Sequence, residues 1–357
     1  MAKLFSWGAN SHGQLSVGFV SEMCTTPQEV AFDQSESVDH MAAGGGHILL
    51  KTSDNKLFSC GWNSKGQLGN GTMSDSSVLQ PIQSKYFENK LIKSVHCGWH
   101  ESALVCEDGS LYVWGANLYG QLGQSTERKV VTTPVLLPLP NDEKAISISF
   151  TFRCSVIVTA NRRAYLVGEL RHFDDIKNSS NYQVIVHNGT QFTQIGEDVQ
   201  KLSCGQNHLI LVHPDNSVSG YGNNQYGQTD HVKFGHQIDK ILCGWKHNGV
   251  LLRTGDVLLW GRNTYGQLGR NTGLYIETVR TPIRLVLFEK FQDFHLGAEH
   301  GLVVTDRGQM YTFGWNEHGN CGNGDVENVY KPHLVNLPGK CVLATCGTGF
   351  CYALMEQ

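Results

Sequence analysis

Residues 243–269 read CGWKHNGVLLRTGDVLLWGRNTYGQLG, and the chain rewrites this stretch from end to end. His247 to Leu252 is a short, mostly apolar run, Thr254-Gly255-Asp256 is a turn, and Val257 to Trp260 is a second apolar run. Two runs of strand length about a tight polar turn predict a hairpin. The aromatic-glycine pair then opens Asn-x-x-Gly-Gln-Leu-Gly. There Asn and Gly permit sharp backbone reversals, and the leucine can bury itself against a neighbouring unit.

Variants of the same ending begin at Trp7 (WGANSHGQL), Cys60 (CGWNSKGQLG), Trp114 (WGANLYGQLG), Tyr221 (YGNNQYGQ) and Phe313 (FGWNEHGNCG). The repeat glycines are spaced 53 (Gly8 to Gly61), 54 (to Gly115), 107 (to Gly222), 39 (to Gly261) and 53 (to Gly314). The interval of 107 is two periods, so a decayed copy belongs midway, and Leu166-Val167-Gly168-Glu169 stands there. The turn of the other copies falls on Asp54-Asn55, Asp108-Gly109, Asn161-Arg162, Asp215-Asn216 and Arg307-Gly308, residue types that tolerate positive φ or start turns. Thr132-Thr133-Pro134-Val135 and Arg280-Thr281-Pro282-Ile283 predict edge strands, where proline withholds no needed donor.

Seven copies of a unit tens of residues long mean one supersecondary element stacked many times. Four short antiparallel strands per unit, repeated radially, predict an all-β, seven-bladed β-propeller that takes up residues 1–357 as one domain. The chain finishes in Cys346 to Met355, the first half of a repeat, and begins in Leu4 to Leu15, the second half. The N- and C-terminal strands are therefore expected to share one blade and close the ring, hiding the edges an open array exposes.

Composition narrows the function classes. Forty glycines, 40% hydrophobic and 17% charged residues describe a turn-dense globular chain. A net charge of -4 and the lack of a Lys/Arg-rich tail argue against nucleic acid and anionic membrane as partners. MAKLFSWGAN does not read as a leader, and no apolar run approaches the roughly 18 to 20 residues that span a bilayer. A cytoplasmic, also nuclear, location is expected. The sequons at Asn70, Asn178 and Asn188 then read as chance matches. Eleven cysteines without a Cys-x-x-Cys pair do not read as a disulfide framework. Four of them, Cys97, Cys204, Cys243 and Cys346, share one repeat phase and read as blade packing. No catalytic site, cofactor or metal is expected: phosphate-loop, dinucleotide-binding, nucleophile-elbow and His-Glu-x-x-His motifs are all missing.

The pairing of Gly-x-x-His with aromatic-Gly-x-Asn-x-x-Gly-Gln-Leu-Gly some 14 residues later resembles the RCC1 repeat, named for the regulator of chromosome condensation, and the similarity covers the whole chain. The resemblance implies a seven-bladed propeller acting as a guanine nucleotide exchange factor for a small GTPase, within a branch tied to secretion through the exocyst. A monomer is expected. A noncatalytic protein scaffold and, more remotely, a chromatin-associated regulator are the competing readings.

The candidate partner-binding face follows from phase. His47, His208, His247 and His300 each lie 14 residues before a repeat glycine, with Glu101, Cys154 and Phe350 at that phase elsewhere. Equivalent residues should project around the ring as a partial annulus, and the resemblance implies that such histidines meet the GTPase. The competing reading has each ring hydrogen-bonding a backbone carbonyl of the adjacent blade. Metal binding is disfavoured because equivalent positions on different blades diverge. Trp99, His100 and Trp245 neighbour the phase and serve as interface anchors if exposed, as spacers if buried; Glu101 is an acidic candidate. Intervals of 53 or 54 leave little room for the inserted hairpin wedge that the family's Ran-directed member carries. The exception is 169–200, where Arg171, Asp174, Asp175 and Lys177 replace the signature, which reads first as a decayed repeat.

Overall fold

The glycine that sets the repeat occupies a point where no side chain fits. Gly8, Gly61, Gly115, Gly168, Gly222, Gly261 and Gly314 all have φ between 96° and 114°. A Cβ on them would stand 2.2 to 2.6 Å from a carbonyl oxygen of the preceding hairpin strand, such as His100 O for Gly115 or Glu299 O for Gly314. Both constraints select glycine. Gly168 obeys them too, so the decayed copy keeps the backbone condition after losing the rest of the signature.

The computed structural model describes residues 2–32, 36–179, 181–270 and 277–356; Met1, Gln357 and Ser180 of the second sequon lie outside them. The stretch quoted at the outset forms two strands of a four-stranded antiparallel blade: Ile238–Cys243, His247–Leu252, Val257–Arg262 and Thr278–Arg284, paired in that order. The second strand is buried along its length, which explains its unbroken apolar run. The outer strand is half-exposed and carries Pro282. Pro27, Pro81, Pro134 and Pro332 likewise lie in outermost strands.

The described residues form seven antiparallel sheets, six of four strands and one of five. We number the blades 1 (38–82), 2 (92–136), 3 (145–196), 4 (201–233), 5 (238–284), 6 (291–334) and 7 (340–356 with 2–29). Innermost strands of successive blades touch in turn, and Lys340–Cys346 of blade 7 meets Val38–Ala43 of blade 1. In blade 7 the strand Ala2–Ala9 pairs with Phe350–Glu356 on one side, from Ala2↔Glu356 to Gly8↔Phe350, and with Met23–Glu29 on the other. The two chain ends thus close the ring. No helix among the described residues is long and apolar enough to cross a membrane.

Segment 169–200 is more than decay. Thr190–Gly196 takes the fourth-strand place in blade 3, and Gln183–His187 adds a fifth strand outside it. A 3-10 turn at Asp174–Asn178 stands in for the lost motif loop. Phe173 and Ile176 are buried, Phe173 lies against Gly222 of blade 4, and Asp175 Oδ2 accepts a 2.9 Å hydrogen bond from Gly222 N. Blade 4, the short copy, keeps only Val232–Lys233 as its outer strand.

The motif loops satisfy themselves. Asn117 Oδ1 accepts from Leu122 N, while its Nδ2 donates to the carbonyls of Gln124, Ser125 and Arg128, all at 3.0 to 3.2 Å. Gln121 Oε1 accepts from Tyr119 N at 2.8 Å, and the same glutamine bond recurs at Gln14, Gln67, Gln228 and Gln267. Asn117 is fully buried, whereas its counterpart Asn224 is exposed. Asn117→Ala should therefore cost about 2 to 3 kcal/mol in denaturant unfolding, and Asn224→Ala less than about 1.

Candidate functional site

Each Gly-x-x-His histidine packs its ring onto its own glycine. A Cβ on Gly44, Gly205, Gly244 or Gly297 would lie 2.0 to 2.5 Å from Cε1 of His47, His208, His247 or His300 respectively. The rings are thereby driven into the seams between blades, and all four histidines are fully buried. They form no exposed annulus. The bonds that His47 and His208 make are to side chains and not to backbone carbonyls, each on the next blade at the position after its own phase residue. His47 Nε2 lies 2.9 Å from Ser102 Oγ, and His208 Nε2 lies 2.7 Å from Asn248 Oδ1. Ser102 Oγ and Asn248 Nδ2 then donate to the carbonyls of Gln67 and Gln228 in the motif loops of the histidines' own blades, at 2.8 and 2.7 Å. This fixes the tautomer with Nε2 as donor.

His247 breaks the ladder. Its counterpart position in blade 6 is Gly301, which offers no polar atom, and neither ring nitrogen of His247 has a hydrogen-bond partner. At the next seam His300 Nε2 meets Cys351 Sγ at 3.4 Å. Burial pushes His47 and His247 down to about 3 and His208 to about 4, so these three are neutral. Glu101, at the same phase in blade 2, is buried as well; burial pushes it up to about 7, against hydrogen bonds from Gln121 Nε2 at 2.9 Å and His100 N at 3.0 Å.

Groups that reach solvent lie one or two residues before this phase. Trp99 and Trp245, half-buried, cross the axis to each other with ring centroids 5.6 Å apart, and Phe152 packs 5.3 Å from Trp99 and 6.0 Å from Trp245. Together they cover one mouth of the axial cavity, which is lined by the glycine turns of six blades and by Thr151 in the glycine's place in blade 3. The tryptophans are thus both spacer and surface. From Trp99 the aromatic path continues through His100 to Trp62 at 4.5 Å and on to His12 stacked at 4.7 Å. Burial, then the charge of Lys65, lowers His100 to about 4.

Further around the face, guanidinium groups lie over tyrosines: Arg153 over Tyr119 at 4.5 Å, and Arg262 between Tyr265 at 4.9 Å and Tyr226 at 5.7 Å. Glu169 holds Arg153 at 2.6 Å and Glu299 holds Arg262 at 3.0 Å. Sequence reasoning passed over Trp62, Tyr119, Arg153, Phe152 and Arg262. Their signal was available: Trp62, Arg262 and Trp315 follow a repeat glycine, and Tyr119, Tyr226 and Tyr265 fill the second variable position of Asn-x-x-Gly.

The structure brings His300 together with Cys346 and Cys351, whose ligand atoms lie within 4.8 Å of one another. The other phase cysteines lack such company: Cys97 Sγ donates to Ala42 O at 3.2 Å, and Cys204 and Cys243 stand opposite Leu209 and Asn248.

The profile of the RCC1-like domain matches residues 3–353. The chain is 28% identical over 393 residues to the secretion-regulating guanine nucleotide exchange factor of Bos taurus, covering 99% of this chain and 83% of that one. It is 25% identical over 358 residues to the X-linked retinitis pigmentosa GTPase regulator of Canis lupus familiaris, covering 99% of this chain and 31% of that one. Among solved structures, Prp20p of Saccharomyces cerevisiae superposes with a TM-score of 0.86 at 19% identity, over 100% of this chain and 92% of that one. Human WBSCR16 gives 0.82 at 20%, over 100% and 99%. These two likenesses establish the fold.

The seams make two tests. A histidine held below its ordinary 6.5 contributes stability that is complete above that value and lost as pH falls from 6.5 toward 3 or 4. Glu101, raised from 4.5 to about 7, has the opposite sign: its contribution is present below 4.5 and lost as pH rises through 7. Phe350 already fills the histidine phase in blade 7, packed on Gly347. At pH 7, His247→Phe should change unfolding free energy by less than about 0.5 kcal/mol or raise it, whereas His47→Phe and His208→Phe cost about 1 to 3 by stranding Ser102 and Asn248. Between pH 6 and 5, unfolding titrations of His247→Phe should lose about 1.4 kcal/mol per pH unit less than the parent.

Proposed function

Because the chain belongs to the RCC1-like domain family, we propose that it is a guanine nucleotide exchange factor for a small GTPase, working through the aromatic and arginine-bearing face of the propeller. The observation that carries this reading is the composition and support of that face. Trp62, Trp99, Tyr119, Phe152 and Trp245 are partly exposed there, and Arg153 and Arg262 are fixed by carboxylates. Partly buried aromatics and held guanidiniums are the residue types that dominate binding energy at protein interfaces. The names of the bovine and mouse relatives support an exchange role, and the word secretion-regulating in those names supports a link to secretion.

Exchange of this kind needs no bond chemistry from the protein. A surface that binds the nucleotide-free GTPase more tightly than the GDP-bound form lowers GDP affinity by the same factor, since the two binding events are linked. A face borne on interlocked blades suits that task, because a rigid surface gives up little ordering entropy on binding. His47 holds Ser102 beside His100, and His208 holds Asn248 beside Trp245; these buried histidines position the face rather than contact the partner.

Release of fluorescent GDP from a panel of small GTPases tests the proposal. One member should respond to the parent protein, and Trp62→Ala or the pair Tyr119→Ala with Arg153→Ala should lower the rate at least about tenfold with folding intact. His247→Phe should leave the rate unchanged. Stable binding of a GTPase without faster release would refute exchange and leave a scaffold.

A further inference from the structure

The seam between blades 6 and 7 differs from its equivalents in the chemistry of three side chains. In strand register Cys346 stands directly opposite Cys351, and their sulfurs are 3.4 Å apart. His300, reaching over from blade 6, brings Nε2 to 3.4 Å from Cys351 Sγ. All three residues are buried, and Cys346 also borders the axial cavity. The same three positions hold His47, Cys97 and Ser102 at the seam of blades 1 and 2, with Ser102 opposite Cys97. They hold His208, Cys243 and Asn248 at the seam of blades 4 and 5, with Asn248 opposite Cys243. Identical backbone geometry thus recurs with a hydroxyl, a carboxamide and, once, a second thiol.

We propose that His300, Cys346 and Cys351 form a zinc site that clasps blade 7 to blade 6. Tetrahedral zinc with Zn–S near 2.3 Å and Zn–N near 2.0 Å requires sulfur-sulfur and sulfur-nitrogen separations of about 3.8 and 3.6 Å. From the observed 3.4 Å for Cys346 Sγ–Cys351 Sγ and Cys351 Sγ–His300 Nε2, these are reached by shifts of a few tenths of an ångström, and the third pair, His300 with Cys346, lies within 4.8 Å. Two thiolates and one imidazole are a donor set that favours zinc over harder divalent ions. Binding forms two Zn–S bonds and one Zn–N bond and releases the two thiol protons to solvent, so uptake strengthens as pH rises. The cation and two thiolates sum to zero charge, which suits a buried seam. Solvent in the axial cavity, which Cys346 borders, can supply the fourth ligand.

The site also has a structural consequence. His300 starts the second strand of blade 6, and the two cysteines lie on the two strands of blade 7 contributed by the C-terminal end of the chain. Zinc would therefore tie three strands together beside the blade where the ring closes, and its binding energy would add to closure.

Reduced, metal-free protein titrated with Co2+ should gain one equivalent with thiolate-to-cobalt charge-transfer and tetrahedral ligand-field absorption, displaced by Zn2+. Zinc should raise the thermal midpoint of the parent and of Cys204→Ser, but not of Cys351→Ser. Ser102→Cys should create a second equivalent by completing the set with His47 and Cys97. Reduced parent protein that shows no cobalt absorption overturns the proposal, as does equal uptake by Cys346→Ser and Cys351→Ser. So does finding these two cysteines only as a disulfide, with no metal uptake once it is reduced.

Discussion

The backbone carbonyl of the motif glutamine is the point on which the ring depends. Gln67 O accepts from Ser102 Oγ at 2.8 Å and Trp114 Nε1 at 2.9 Å, both in the next blade. Gln121 O accepts from Ser155 Oγ at 2.8 Å, and Gln228 O from Asn248 Nδ2 at 2.7 Å. In blade 6 the residue is Asn320, whose carbonyl accepts from Trp7 Nε1 at 2.9 Å. The loop that presents this oxygen holds its own shape through the asparagine and glutamine side chains, so an oriented acceptor is delivered to the neighbour at these four seams. Buried donors that find such an acceptor avoid a penalty of about 1 to 3 kcal/mol each. The contact therefore specifies how blades dock as well as that they dock.

Ionisable groups divide according to their distance from this contact. Those in the seam, such as His47, His247 and Glu101, are neutralised or pushed toward neutrality by burial. Arg153, just before the phase residue Cys154, and Arg262, just after the repeat glycine Gly261, reach the face and are held in charged pairs.

Much of this architecture was legible in the sequence because its causes are local. Glycine at positive φ, turn residues at fixed offsets and an apolar second strand leave periodic marks, and even Gly168 betrayed a copy whose other marks were gone. The histidine rings were harder to place. Phase located them, but whether they face out or in depends on the glycine three residues earlier, whose missing Cβ makes room for the ring. Their partners were invisible for another reason: Ser102, Asn248, Gly301 and Cys351 look like ordinary strand residues until blades are juxtaposed. The pairing of Cys346 with Cys351 likewise needs strand register. The fifth strand of blade 3 was missed because Gln183 to His187 pairs locally within a segment that otherwise follows no repeat rule.

The shared blade has a meaning for how the chain acquires its shape. Strand Ala2–Ala9 is made well before its partner Phe350–Glu356. During synthesis the early strand has only the hairpin with Met23–Glu29, and a two-stranded ribbon is marginal alone. Six blades can dock in order behind it, while the apolar flank bearing Phe5 and Trp7 stays uncovered until Phe350–Glu356 emerges. Joining strands so far apart in sequence is slow, since loop closure precedes any reward from contact. The fold thus carries a built-in delay, and the hazard in that interval is a partly made ring pairing its open edge with a second chain.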